Sequence, residues 1–138
     1  MMSDKTTFSD FEREAMRERA AELRKTKNSE ADLLEKVAEM PEAEAQLALK
    51  IHEIVTTVAP ELQPKTWYGM PAYANAQGKT LVFFQPATKF KARYSTLGFN
   101  DGAQLDDGQM WPTAYAITAL TPAVIKQIET LVKQSVGR

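Results

Sequence analysis

The chain has 138 residues, 17 of them Lys or Arg and 18 Asp or Glu, with one His, no Cys and a net charge of -1. One domain is expected at this length, able to bury on the order of two thirds of its unfolded surface without a disulfide or structural metal. The composition excludes thiolate chemistry and cysteine-ligated metals, argues against nucleic acid and anionic membrane as partners, and, with no apolar run of spanning length and no leader-like start, predicts a cytoplasmic protein.

Residues 1–8 read as a tail. Ser9-Asp10-Phe11-Glu12 has the spacing of a capping box, which predicts a helix to about Lys25. Its charges mix both signs and its apolar positions are few (Phe11, Ala15, Met16, Ala20, Leu23), so it docks through a narrow stripe. Thr26-Lys27-Asn28-Ser29 is a polar break, dividing a tail and charged helix (1–28) from an α+β domain (29–138). A short helix follows with Leu33, Leu34 and Val37 facing inward. Pro41 then suits the start of the principal core helix, in which Leu47, Ile51, Ile54, Val55 and Val58 recur at helical spacing. Pro60 and Pro64 end it.

The chain is organised around Lys65-Thr66-Trp67-Tyr68-Gly69-Met70-Pro71-Ala72-Tyr73. Trp67 and Tyr68 favour strand, Gly69 admits a backbone closed to other residues, and Pro71 fixes its own φ while removing a donor. The combination predicts an extended segment with a kink at a strand edge or bulge, with Trp67, Tyr68 and Tyr73 emerging in different directions. Beyond a turn at Asn75-Ala76-Gln77-Gly78, Thr80 to Phe84 reads as a buried strand. Lys91 to Phe99 reads as the next strand and Thr113 to Thr118 as the last. Thr121-Pro122 opens a final helix with Ile125, Ile128, Leu131 and Val132 inward. Helices, then short strands with short links, then a helix predict α+β with an antiparallel sheet of about four to five strands.

Candidate chemistry is sparse. His52 stands at the border of the apolar stripe and has no second histidine to join it in a metal site. Glu30, Asp32, Glu35, Glu39, Glu42 and Glu44 crowd one segment. Such a run is either a solvated face or a set of oxygen ligands for a hard cation such as iron. Lys89, Lys91 and Arg93 alternate, so in a strand they share one face, as edge-blocking charges or as an anion site. Met70-Pro71 and Met110-Trp111-Pro112 pair a thioether and an aromatic with a rigid Pro, and would line a cleft if they met at one end of the sheet. Glycine phosphate loops, nucleophile elbows and zinc-protease spacings are absent.

Trp67-Tyr68-Gly69-Met70-Pro71-Ala72-Tyr73, with Gly78-Lys79 before a hydrophobic strand, Phe99, Trp111 to Ile117 and the closing Leu-Thr-Pro helix, resembles the YdhG-like domain family of bacterial proteins. The resemblance spans residues 42–138. It implies a compact α+β domain with an antiparallel sheet, in a family whose function is mostly unassigned and of which some members are described as frataxin-like intracellular iron chaperones. Relatives carry an acid where Pro64-Lys65-Thr66 stands, and a Gly-Lys-Gly type segment where Gly108 to Pro112 stands, so no metal residue is carried over. The expectation is a non-enzymatic binding domain with no catalytic residues. Its cleft, formed by Trp67, Tyr68, Met70, Tyr73, Lys91, Arg93 and Trp111, would take a small anionic ligand or peptide, the cofactor being unknown. Partners would be a small molecule or a protein, with iron delivery by the acidic helical residues as the alternative.

Overall fold

Residues 8–24 and 29–138 are described by the computed structural model. The expected tail, apart from Phe8, and most of the polar break at 26–29 lie outside them. The elements run α1 (Asp10–Arg24), α2 (Glu30–Ala38), α3 (Glu42–Val58), β1 (Gln63–Trp67), β2 (Met70–Ala74), β3 (Thr80–Gln85), β4 (Ser95–Phe99), β5 (Ala114–Ile117) and α4 (Pro122–Ser135). The strands form one sheet in the order β1-β2-β3-β4-β5, every neighbouring pair antiparallel. This is the α+β architecture that the order of the elements predicts.

Local side chains hold the helix starts, those of α1 and α4 where the sequence puts them. Glu12 reaches back to the Ser9 N–H at 2.9 Å, the Ser29 N–H donates to Asp32 at 2.9 Å, and Thr121 Oγ1 accepts from Val124 N–H at 3.2 Å. The apolar stripe of α3 lies on the inner face of the sheet, and α2 and α4 complete that layer. Ile51, Val55, Leu33 and Val132 meet Tyr73, Val82, Phe84 and Leu97 in one buried cluster. Leu34, expected inside, is 39 % exposed: Leu33 and Val37, four apart, carry the buried stripe of α2, and Leu34 falls beside it. Tyr73 pairs with Val82 but Ala74 with Thr80. Leu81 is therefore the extra residue of a bulge, and both it and Val82 join the core.

Two local expectations are corrected. The kink in the central stretch is a two-residue hairpin turn: Trp67 pairs with Met70, and Tyr68 and Gly69 between them have φ of 53° and 75°. Positive φ at both central positions is the I′ geometry, whose twist matches the strands it joins. Pro71 consequently sits in an inner strand, at its turn end, rather than at an edge. The second correction concerns Lys91 to Phe99, where β4 begins at Ser95. Residues 86–94 are a loop in which Lys91 takes φ 53°. Glu44 on α3 holds that loop, accepting from Thr88 N–H at 3.2 Å and from its hydroxyl at 2.5 Å. Bonds to a residue 44 positions upstream override the local alternation.

α1 packs differently from the other helices. Ala15 is its one buried residue, and its links to the body are mostly polar. Glu22 spans the hairpin turn, accepting from Tyr68 N–H at 3.0 Å and Gly69 N–H at 2.9 Å. Glu18 pairs with Lys36 at 2.8 Å and Lys89 at 2.5 Å. Phe11 meets the edge of Phe90, ring centres 6.0 Å apart.

Candidate functional site

Alternation along β1 puts Lys65 and Trp67 on the outer face of the sheet, away from the α3 layer. Opposite them on β2 stand Ala72 and Met70. The small alanine leaves room at Lys65, while the Trp67 ring leans on Phe83 at 5.3 Å and meets Tyr68 edge-on at 5.0 Å. Phe83 itself lies over Gly98, its cross-strand partner, where an added Cβ would come within 2.1 Å of the ring. Gly98 is thus the position that lets the Phe83 ring lie over β4.

The β2–β3 turn supplies the next wall. Asn75 Oδ1 accepts from Gln77 N–H at 3.0 Å and Lys79 N–H at 2.9 Å, an Asx arrangement that fixes the backbone of Lys79. Asn100 donates from its side chain to the Thr80 carbonyl at 3.1 Å, tying the β4 exit to the same rim. From α1, Arg19 lies over the Tyr68 ring at 5.5 Å and 3.5 Å from Glu22. Arg19, Lys65, Trp67, Lys79, Thr80 and Asn100, with Gly78 and Asp101, surround an open groove of ≈ 430 Å³.

Its electrostatics are one-sided. Three cations face one carboxylate, that of Asp101. Burial lowers the pKa of the Lys65 ammonium and the Arg19 guanidinium lowers it further, Glu22 offsetting part of the effect. Among the described residues Lys65 and Lys79 have no ion-pair partner. Arranged in this way, the groove can hold an anion against an aromatic wall, with hydroxyl and amide groups at the rim.

The seven residues proposed from sequence do not gather into one cleft. Trp67 lines the groove and Tyr68, 37 % exposed, adjoins it. Met70 and Tyr73 are buried, Tyr73 on the inner face. Lys91 and Arg93 stand exposed in the loop at the hairpin end of the sheet, Arg93 over the Tyr94 ring at 5.1 Å. Trp111 packs against the core from the β4–β5 connection, at the opposite end of the meander from Met70, and Met110 is 89 % exposed. The two Pro-rigidified segments therefore do not meet. Arg19, Lys65, Lys79, Thr80 and Asn100 were not singled out by sequence. A signal existed for Lys65, two positions before Trp67 and so on the same face of any strand containing both; none existed for Arg19.

His52 joins a chain that links three elements. Its Nε2 lies 2.6 Å from Glu30 Oε2, its Nδ1 2.9 Å from the Tyr73 hydroxyl, and the two rings stack at 5.8 Å. An ionised carboxylate only accepts, so Nε2 carries the proton and donates to Glu30, and in the neutral imidazole Nδ1 accepts from Tyr73 O–H. Burial, with the Glu30 charge adding to it, pushes the Tyr73 hydroxyl far above its ordinary value, so it remains a donor throughout the working range. The chain fastens α2 and α3 to β2.

Most of the acidic run has partners of its own. Glu30 binds His52, Glu44 holds Thr88, Glu39 lies 3.6 Å from Lys36, and Glu42 accepts from Gln46 at 3.4 Å. Among the described residues no three His, Asp or Glu side chains gather as a metal site. Nor, among those residues, is any helix long and apolar enough to cross a membrane. No family model matches the chain, and neither a curated protein nor a solved structure does so.

Proposed function

We propose that this protein is a non-enzymatic binding domain that takes a small anionic ligand in the groove between α1, β1 and the β2–β3 turn. The observation that carries the reading is the convergence of Arg19, Lys65 and Lys79 on the half-buried Trp67, with Asp101 the single carboxylate among the lining residues. Each cation does different work. The Arg19 guanidinium offers a planar fork suited to a carboxylate or phosphate, whereas Lys65 and Lys79 act as point charges on flexible stems. Trp67 supplies an apolar wall whose area excludes water from one side of the anion. The likeness to the YdhG-like family, carried by Trp67–Tyr73, Gly78-Lys79, Phe99, Trp111 to Ile117 and the closing Leu-Thr-Pro helix, belongs to the same reading and rests on the sequence alone.

Trp67 is its own reporter. In a Trp111→Phe background, titration with inorganic phosphate and with benzoate should change the Trp67 emission saturably. Lys79→Ala should weaken the response, added salt should weaken it further, and Lys126→Ala on the remote face of α4 should leave it unchanged. Emission that drifts linearly with either anion, or that responds equally in Lys79→Ala, would refute the groove as an anion site.

A further inference from the structure

The lysines of the described residues fall into two groups, and Lys65 belongs to neither. Lys36, Lys50 and Lys89 are each within 2.9 Å of a carboxylate (2.8 Å to Glu18, 2.9 Å to Glu53 and 2.5 Å to Glu18). Lys79, Lys91, Lys126 and Lys133 lie exposed. Lys65 is partly buried in the groove wall, with Arg19 as its cationic neighbour and no carboxylate within ion-pair distance among the described residues. Burial beside a second cation favours the uncharged, nucleophilic form of a lysine amine, and Glu22 offsets only part of that effect at Lys65. The depressed Lys65 ammonium agrees with that environment.

Lys65 also has the surroundings a covalent step requires. Arg19 and Lys79 flank it as carboxylate binders, Trp67 stands two residues along the same strand face, and Thr80 and Asn100 provide hydroxyl and amide groups on the far rim. We infer that Lys65 captures the carbonyl carbon of a small 2-oxo acid as a Schiff base, the acid's carboxylate being held by Arg19 and Lys79. This inference rests on the anion-binding reading of the groove and names the ligand class for it.

The step balances without an oxidant or a further reactant. The neutral Lys65 amine adds its lone pair to the carbonyl carbon, and a proton passes from nitrogen to the carbonyl oxygen. The carbon–oxygen bond then breaks as the carbon–nitrogen double bond forms, the departing hydroxide takes the second proton from nitrogen, and one water leaves. Amine and carbonyl become imine and water; hydrolysis reverses the step and releases the acid unchanged. Capture is therefore reversible.

The test incubates the full chain with pyruvate and sodium cyanoborohydride near neutral pH, where hydride converts any imine to a stable secondary amine. Intact-mass measurement and peptide mapping locate the adduct. The expected result is one adduct per chain, on Lys65 ahead of the exposed Lys79, Lys91 and Lys126. Lys65→Arg should lose it, Lys126→Arg should retain it, and inorganic phosphate should slow it. Acetone, which has the carbonyl but no carboxylate, should react slowly and without preference for Lys65. Adducts spread over the exposed lysines, or no adduct although phosphate still perturbs Trp67, would overturn the Schiff base and leave the anion groove standing. No adduct together with no phosphate response would overturn both.

Discussion

The two sides of the sheet are built on different physics. On the inner face α2, α3 and α4 bury Leu33, Ile51, Val55 and Val132 against Tyr73, Val82, Phe84 and Leu97, all 1 % exposed or less. At the hairpin rim and the outer face, α1 buries one alanine and is held by Glu18 and Glu22. Apolar burial yields roughly 25 cal/mol per Å² and is not screened by salt, whereas ion pairs at a rim weaken as ionic strength rises. The two sides thereby divide the work: the inner face holds the fold, and the outer face and rim carry Lys65 and Lys79, which have no ion-pair partner among the described residues.

The largest effect is expected from opening a cavity in the inner layer. Phe84→Ala should cost about 3–5 kcal/mol in urea unfolding, as large-to-small changes in closed cores do. A loss below about 1 kcal/mol would mean that the inner layer is not the seat of stability. At the rim, Glu22→Gln keeps the side-chain length but removes the charge and one of two acceptor oxygens on the turn. We expect a loss of about 1.5–3 kcal/mol, the range for hydrogen bonds to charged groups. High salt should erode the wild-type advantage over Glu22→Gln, while the Phe84→Ala difference should persist. Equal salt sensitivity in the two variants would dissolve the distinction.

The smallest effect at neutral pH is expected from a hydrogen bond within the inner layer. Tyr73→Phe removes one hydrogen bond and leaves His52 Nδ1 unpartnered there, at about 1 kcal/mol. Its value lies at high pH. The folded Tyr73 hydroxyl holds its proton well above the ordinary value of 10.0, so its contribution is complete below that pH. As pH rises past 10.0 the unfolded chain ionises first, and stability falls by about 1.4 kcal/mol per pH unit until the folded hydroxyl also titrates. Tyr73→Phe should lack this component; matching alkaline slopes in the two proteins would show that the hydroxyl is not sealed.

Much of the inner layer was legible in the sequence because its signals are periodic and local. Leu47, Ile51, Ile54 and Val55 announce the face of α3, Thr80 to Phe84 announces β3, and Thr121-Pro122 marks the start of α4. The rim was not legible, for the opposite reason. A Tyr-Gly turn lacks the Asn-Gly or Asp-Gly signature of I′ hairpins, so the segment reads as one kinked strand. Lys89-Phe90-Lys91-Ala92-Arg93-Tyr94 alternates like a strand, yet Glu44 and the left-handed backbone at Lys91 hold it as a loop. The groove needs Arg19 from α1, Lys65 from β1 and Lys79 from a later turn. No local pattern states that these three converge.

The carboxylate closing the β1–β2 turn belongs to Glu22, 46 residues before the first amide it binds. The hairpin can zip up through neighbouring residues, but those two amides must hydrogen-bond to water until α1 arrives. Their deuterium uptake therefore acts as a clock for that helix alone: it should run fast whenever α1 lifts off, even while the amides of β2 and β3 stay protected. Two exchange rates in one hairpin would measure how tightly the helix is held.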